Sequence, residues 1–438
     1  MSRSAPTTAL AWRVAPPLLS TALSSVATGL LTLLPLRFTA AGLSQTSIGL
    51  IATAEAAGFM LGCMQVHRVI APVGQIRAYA AFAALKAAIV LLIFFSTAVV
   101  PLVALRFLLG FNAAGLAVIV ESWLNALVPN HLRGRILTVY LLVIGLFYGL
   151  GQLLGRYIDL AGPELLILAG IATALALVPV ALIDVVGPPP THPVKMEITK
   201  ALRTSPASVL ACLLTGLVGT AFTTLAPLYS HQIGLSQDRT IILMVCVSIG
   251  SLVLQWPIGL LSDKFDRLYA LIGLGALITL TSAAIFLVTG PQAFLLLAFL
   301  FIAFGGFVES LYAVGVAHAN DRAASSDYVS LSSTLLLVWA LGGAIGPSVG
   351  AAIMEYTGPS AFFVYAILLG VAFTLFAVWR LRRRREDRTA ETHEDFLAYP
   401  QTSPEIYSWL PYHPQAATAE ADAEPSADES SHKSRGPS

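Results

Sequence analysis

The chain has 438 residues, of which 56% are hydrophobic and only 11% charged, with a formal net charge of +1 and a mean hydropathy of +0.78. A soluble domain carries roughly 25% charged residues, so an ordinary soluble globular domain is excluded. Apolar runs of about twenty residues recur from end to end and point to a polytopic α-helical membrane protein.

Hydrocarbon leaves backbone groups no outside partner, so the spans must be helices; the alternating pattern of a β-barrel is not seen. The apolar runs predict twelve spans, at about 15–37, 46–67, 77–98, 101–125, 136–158 and 163–185, then 208–230, 239–261, 269–289, 292–317, 329–354 and 359–380. The first run is too long for a signal-peptide core and is read as a retained span. The domains expected are a cytoplasmic tail 1–14, a six-helix half 15–185, a cytoplasmic linker 186–207, a second six-helix half 208–381 and a disordered cytoplasmic tail 382–438. The linker opens on Gly187-Pro-Pro-Pro190 and continues through Lys195, Lys200 and Arg203. The tail carries 11 acidic and 7 basic residues, is rich in Pro, Ser and Glu, and is expected to be dispensable for the activity of the membrane-embedded body.

Basic residues set the orientation. Arg68, Arg77, Arg133, Arg135, Lys264, Arg267 and Arg322 fall in alternate connections with the basic linker, while Arg239 falls on the other side. Both termini are therefore expected in the cytoplasm, with the protein in a bacterial inner membrane.

Ionisable residues inside spans are the strongest functional signal, because a charge at mid-bilayer costs at least ~2.5–3.5 kcal/mol. Arg106 and Glu121 share the fourth span, about 60° apart around the helix and ~22 Å apart along it, so both can face one cavity. Glu55 in span two and Lys86 in span three lie at similar depth and are candidates to pair with each other. Glu309 in span ten completes the set. A carboxyl group in a membrane cavity is suited to proton uptake and release. Glu121 has a second reading, as a gate that binds Arg133 or Arg135 at the cytoplasmic mouth. Asn112, Gln152, Gln255 and Trp256 are candidates for contacts to solute, though each is as readily a packing residue.

The two halves repeat. Thr32-Leu-x-Pro-Leu36 followed by Gly42-Leu-Ser-Gln45 recurs as Thr224-Leu-x-Pro-Leu228 followed by Gly234-Leu-Ser-Gln237. Val120-Glu-Ser122 recurs as Val308-Glu-Ser310, which makes Glu121 and Glu309 expected repeat mates, and Gly151-x-x-x-Gly155 as Gly346-x-x-x-Gly350. Six spans per copy keep both copies in one orientation, the parallel repeat of one transporter class.

With this repeat, Gly259-Leu-Leu-Ser-Asp-Lys-Phe-Asp-Arg267 resembles the loop signature of the major facilitator superfamily, and the resemblance covers residues ~10–385. It implies a cytoplasmic gate at Asp263, Lys264 and Arg267 with Arg133 and Arg135. Arg106-x-x-x-Gly110-x-x-x-Ala114 resembles the fourth-span signature of proton coupling. Gly145-x-x-x-Gly149-x-Gly151-Gln152 resembles the fifth-span antiporter signature without its proline. Val118 to Ser122, Arg133 to Arg135, Gly151 to Gly155 and Leu254 to Gly259 resemble the bacterial YcaD-type branch.

No P-loop, metal spacing or disulfide framework is present; Cys63, Cys212 and Cys246 are scattered, as are His67, His131, His231 and His318. The chain is read as no enzyme, with no cofactor and no nucleic-acid partner, acting as a monomer on a small solute, protons and lipid. The expected function is secondary active transport by alternating access, with proton-coupled export leading. Proton-coupled or facilitated uptake is the alternative, and a non-transporting sensor or scaffold, its cavity filled by bulky apolar side chains, is the third.

Overall fold

The computed structural model describes residues 7–129, 132–182, 196–288, 290–324, 327–384 and 401–403. Twelve helical stretches are long and apolar enough to cross a membrane. The first half comprises α1 (Thr7–Leu31) with α2 (Leu34–Ala40), α3 (Gln45–Val73), α4 (Gln75–Leu92), α5 (Val99–Leu127), α6 (Arg133–Leu154) and α7 (Glu164–Ala181). A short helix α8 (Ile198–Thr204) precedes the second half. That half comprises α9 (Pro206–Thr215) with α10 (Ala221–Gln232), α11 (Gln237–Lys264), α12 (Arg267–Leu287), α13 (Phe294–Asn320), α14 (Tyr328–Thr357) and α15 (Ala361–Arg384). No strand occurs among the described residues.

The repeat is visible at atomic detail where its sequence is strongest. Gly42 and Gly234 both take a left-handed backbone, with φ of 82° and 84°, a region that glycine enters without strain. Two residues on, Ser44 and Ser236 cap α3 and α11, their side chains accepting from the N–H groups of Ser47 and Arg239. Both halves therefore re-enter the bundle by the same turn and cap. Close helix packing repeats too. A side chain added at Gly58 would strike the Phe107 backbone, and one added at Gly250 would strike Ile302. Small residues let the paired helices approach to backbone contact in both halves.

The Val-Glu-Ser match is not part of this register. Helix pairs α5/α13 and α6/α14 begin 195 residues apart, whereas Glu121 and Glu309 are 188 apart. Glu309 therefore lies about two helical turns from the true counterpart of Glu121. Seven residues make nearly two whole turns, so the sequence match kept the face and lost the depth.

One face of the bundle, the basic face, carries the Val73–Gln75, Leu127–Arg133, Lys264–Arg267 and Asn320–Tyr328 connections. α3 runs several residues past its expected end, through Arg68 to Val73, and stops at Gly74 with φ of 81°. Residues 183–195, the end of the expected sixth span and the first part of the expected linker, lie outside the described residues, and α8 is held by Lys200 Nζ donating to Asp327 at 2.6 Å. The Asp327 carboxylate raises the lysine pKa above its ordinary value. Of the expected disordered tail, 385–400 and 404–438 lie outside the described residues; Arg382 to Arg384 continue α15, and Gln401–Ser403 are placed inside the bundle.

Candidate functional site

A cavity between the halves has two lobes, of about 470 and 360 Å³. Both are bordered by Tyr148, Thr223, Glu309, Gln401 and Thr402. The larger lobe reaches Glu55, Lys86 and Arg106. The smaller reaches Gln152 and Gln255.

Arg106 is 8% exposed and forms its ion pair with Glu55 through Nη2. The expected Glu55–Lys86 pair is replaced by this one. The reason is local: a side chain at Gly110 would collide with the Glu55 carbonyl, so α3 and α5 touch backbone to backbone one turn from Arg106. Lys86 instead donates to Ser24 Oγ at 3.4 Å, beside the lobe. In the second half the packing-equivalent positions, three residues before Gly250 and one before Ile302, are Val247 and Phe301. The Glu55–Arg106 pair therefore has no counterpart at the equivalent positions of the second half.

Glu121 is completely buried. Its Oε1 accepts from the Tyr140 hydroxyl at 2.9 Å, and its Oε2 accepts from Ser403 Oγ. The expected bond to Arg133 or Arg135 is corrected: among the described residues neither arginine forms an ion pair. Glu121 lies six residues before the end of α5 and Tyr140 seven after the start of α6, so antiparallel packing sets these two at one depth. Arg133 and Arg135 lie in the first turn of α6 and line neither lobe. Glu309 borders both lobes and accepts from Gln401 Nε2 at 2.9 Å.

Gln152 links the halves: its Oε1 accepts from Ser248 Oγ at 2.9 Å, and its Nε2 lies 3.4 Å from Thr32 Oγ1. Asn112 does not line either lobe; it donates to the Leu108 carbonyl one turn back at 2.6 Å. Trp256 is 69% exposed on the outside of the bundle, so the expectation of solute stacking is also corrected. An indole on a lipid-facing surface is ordinary. The sequence reading missed Tyr140, Tyr148, Thr220 and Thr223. Thr220 and Thr223 border the larger lobe at a π-helical turn, Gly216–Thr220, which no residue pattern announced.

On the basic face Arg267 is almost wholly buried and donates to Asp263 and to Asp321, each at 3.0 Å. Lys264 is exposed. Among the described residues, polar bonds between the halves concentrate on the opposite face. Arg156 donates to both Asp238 oxygens at 2.7 and 2.6 Å. Gln237 donates to the Gly155 and Ile158 carbonyls, and the Thr46 N–H to Glu355 at 2.7 Å. Deeper in, Ser348 bonds Thr53 at 2.8 Å.

The family model described as "Major Facilitator Superfamily" matches residues 17–308 and 209–421. The chain belongs to the major facilitator superfamily. An uncharacterized MFS-type transporter YcaD of Escherichia fergusonii is 28% identical over 373 residues, 83% of this chain and 93% of that one. Its Escherichia coli O45:K1 counterpart is 29% identical over 348 residues, 76% and 86% of the two chains. Among solved structures, the nucleoside transporter NupG (D323A mutant) superposes with a TM-score of 0.71 at 13% identity, covering 84% of this chain and 99% of its own. A bacterial homologue of the lysosomal transporter Spinster, inward-facing and occupied, gives 0.68 at 14% identity, covering 89% and 100%. This superfamily chain is thus a multi-pass membrane protein and a secondary transporter, not an enzyme, and it is similar to the YcaD-type branch over most of its length.

Proposed function

We propose that this protein moves a small solute across a bacterial inner membrane by alternating access, coupled to protons and in the direction of export. The observation that carries the reading is the composition of the cavity: two lobes between the repeat halves meet at Glu309, with the Glu55–Arg106 pair and Lys86 on the wall of the larger one. Two carboxylates and two cations in one membrane cavity cost too much to be retained for packing alone. The bonds on the opposite face support a state closed there. The excess of Arg and Lys at the basic face supports placing that face, and both termini, in the cytoplasm.

In this mechanism Glu309 is the proton carrier. It stands where the lobes join, so gain or loss of its charge is felt by solute in either. Arg106 is already neutralised by Glu55, so it serves coupling and wall structure rather than an anionic solute. Rocking of the halves breaks the opposite-face bonds and forms others near Arg133, Arg135 and Asp263. A cavity of this size is not one filled by bulky apolar side chains, which weighs against a non-transporting scaffold.

Uptake is the second reading. It is favoured by the fifth span, where the antiporter signature lacks its proline and Gln152 is committed to Ser248 instead. The experiment is a screen of metabolites and drugs against proteoliposomes holding a trapped pH dye. A solute that moves protons in the wild type but not in Glu309→Gln, with both proteins equally folded, supports the coupling role. Flux of an identified solute that is unchanged by Glu309→Gln across a pH series would sink it. The sign of the pH change distinguishes antiport from symport.

A further inference from the structure

Ser403 has no exposed surface, although it belongs to a polar, acidic tail. A hydroxyl is buried without loss only when it is hydrogen-bonded, and Ser403 Oγ donates to Glu121. Two residues earlier, Gln401 Nε2 donates to Glu309 at 2.9 Å. Glu121 belongs to the first half and Glu309 to the second, so one short segment is bonded to both. Their depths suit it. The two acids are offset by about two helical turns, roughly 10 Å, which two extended residues of about 3.3 Å each plus their side chains can bridge. Ser403 also precedes Pro404, which biases its backbone toward an extended form. Gln401 and Thr402 border both lobes, so the segment stands where the lobes meet.

We propose that Gln401–Ser403 is an internal strap that occupies the solute cavity, ties the two halves together through Glu121 and Glu309, and must be displaced before solute binds. The proposal rests on the reading of this cavity as the solute path. Its chemistry is that of a competitor. An amide and a hydroxyl offer neutral donors to two carboxylates, and such bonds are short and strong. A solute that displaces the strap must present donors to the same pair, as an ammonium, amide or hydroxyl compound does. Bonds to both halves also oppose the rocking on which alternating access depends. The strap is therefore a brake as well as a plug, and the tail expected to be dispensable becomes a regulator.

The test needs no solute. In full-length protein with Cys63, Cys212 and Cys246 replaced by alanine, Ala117→Cys places a reporter thiol on the wall of the larger lobe, one turn deeper than Glu121. Its labelling by a polar maleimide is timed in nanodiscs at mildly alkaline pH. Gln401→Glu with Ser403→Asp sets two carboxylates against two carboxylates and expels the strap. Labelling then accelerates at least about tenfold, the factor that loss of one charge-assisted hydrogen bond commands. A synthetic peptide of residues 398–406 added to this variant slows it again. Gln401→Asn with Ser403→Thr, which keeps the donors, labels as slowly as the parent. Equal rates for parent and charged variant overturn the strap and leave the transport reading standing. A reporter that no variant exposes shows that the cavity is not a solvent path, and overturns both.

Discussion

Replacing Arg106 by methionine keeps much of the side chain's volume but strands Glu55. Breaking one side of a buried ion pair costs roughly 3–5 kcal/mol. Here the two partners differ: the Glu55 side chain keeps 30% exposure, toward the cavity, and that of Arg106 only 9%. Cavity water therefore screens an orphaned carboxylate better than an orphaned guanidinium. Arg106→Met is expected to cost about 2–3 kcal/mol and Glu55→Gln about 3–5 kcal/mol. The guanidinium is already poorly served, since its Nε and Nη1 are buried without a partner among the described residues. The double variant removes both charges and returns to within about 1 kcal/mol of the parent. The fold itself illustrates this uncharged solution, with Val247 and Phe301 at the packing-equivalent sites of the other half. The assay is thermal unfolding of the four proteins in one detergent, followed by tryptophan fluorescence and read as a double-mutant cycle. Losses that simply add in the double variant would refute the argument, because each charge would then be destabilised for reasons unrelated to its partner.

Gly110→Val drives a branched side chain into the Glu55 carbonyl and separates α3 from α5. It is expected to cost about 3 kcal/mol or more, and a monodisperse protein of parental stability on size exclusion and heating would contradict the packing. Arg156→Asp repels Asp238 and loosens the opposite face, while Arg156→Asp with Asp238→Arg restores the bond. Maleimide labelling of Ile48→Cys, at the opposite-face end of the cavity, should rise in the first and fall back in the second. On the basic face, Arg267→Leu leaves Asp263 and Asp321 facing each other across a site where Asp321 is only 3% exposed, and is expected to cost about 3–5 kcal/mol. Asp263→Asn costs less in the same unfolding assay, because Arg267 keeps Asp321 and Asp263 is 23% exposed; the reverse order would refute the arrangement.

Much of this protein was legible in its chain because hydrocarbon is an unforgiving solvent. Each span announces itself by length and apolarity, and each of the twelve expected runs corresponds to an observed helix. The turn and cap at Gly42–Ser44 recur at Gly234–Ser236 because backbone stereochemistry demands the same residue types wherever that turn is made. Charged residues inside spans were visible for the same reason: their rarity marks them.

What the sequence did not determine is which of these groups meet. Partners are chosen by helix depth, rotation and approach, and these depend on packing between segments far apart in the chain. Glu55 met Arg106 rather than Lys86 because Gly58 and Gly110 let two backbones touch. Glu121 met Tyr140 rather than an arginine because antiparallel helices match depth from their shared connection. The Val-Glu-Ser match carried the eye two turns out of register, since a helix repeats its face every few residues and sequence alone does not separate face from depth. Gln401 and Ser403 carry no membrane signal at all. Only the tertiary structure, by bringing two carboxylates from different halves within reach of one short polar segment, decided that part of the tail lies inside the protein.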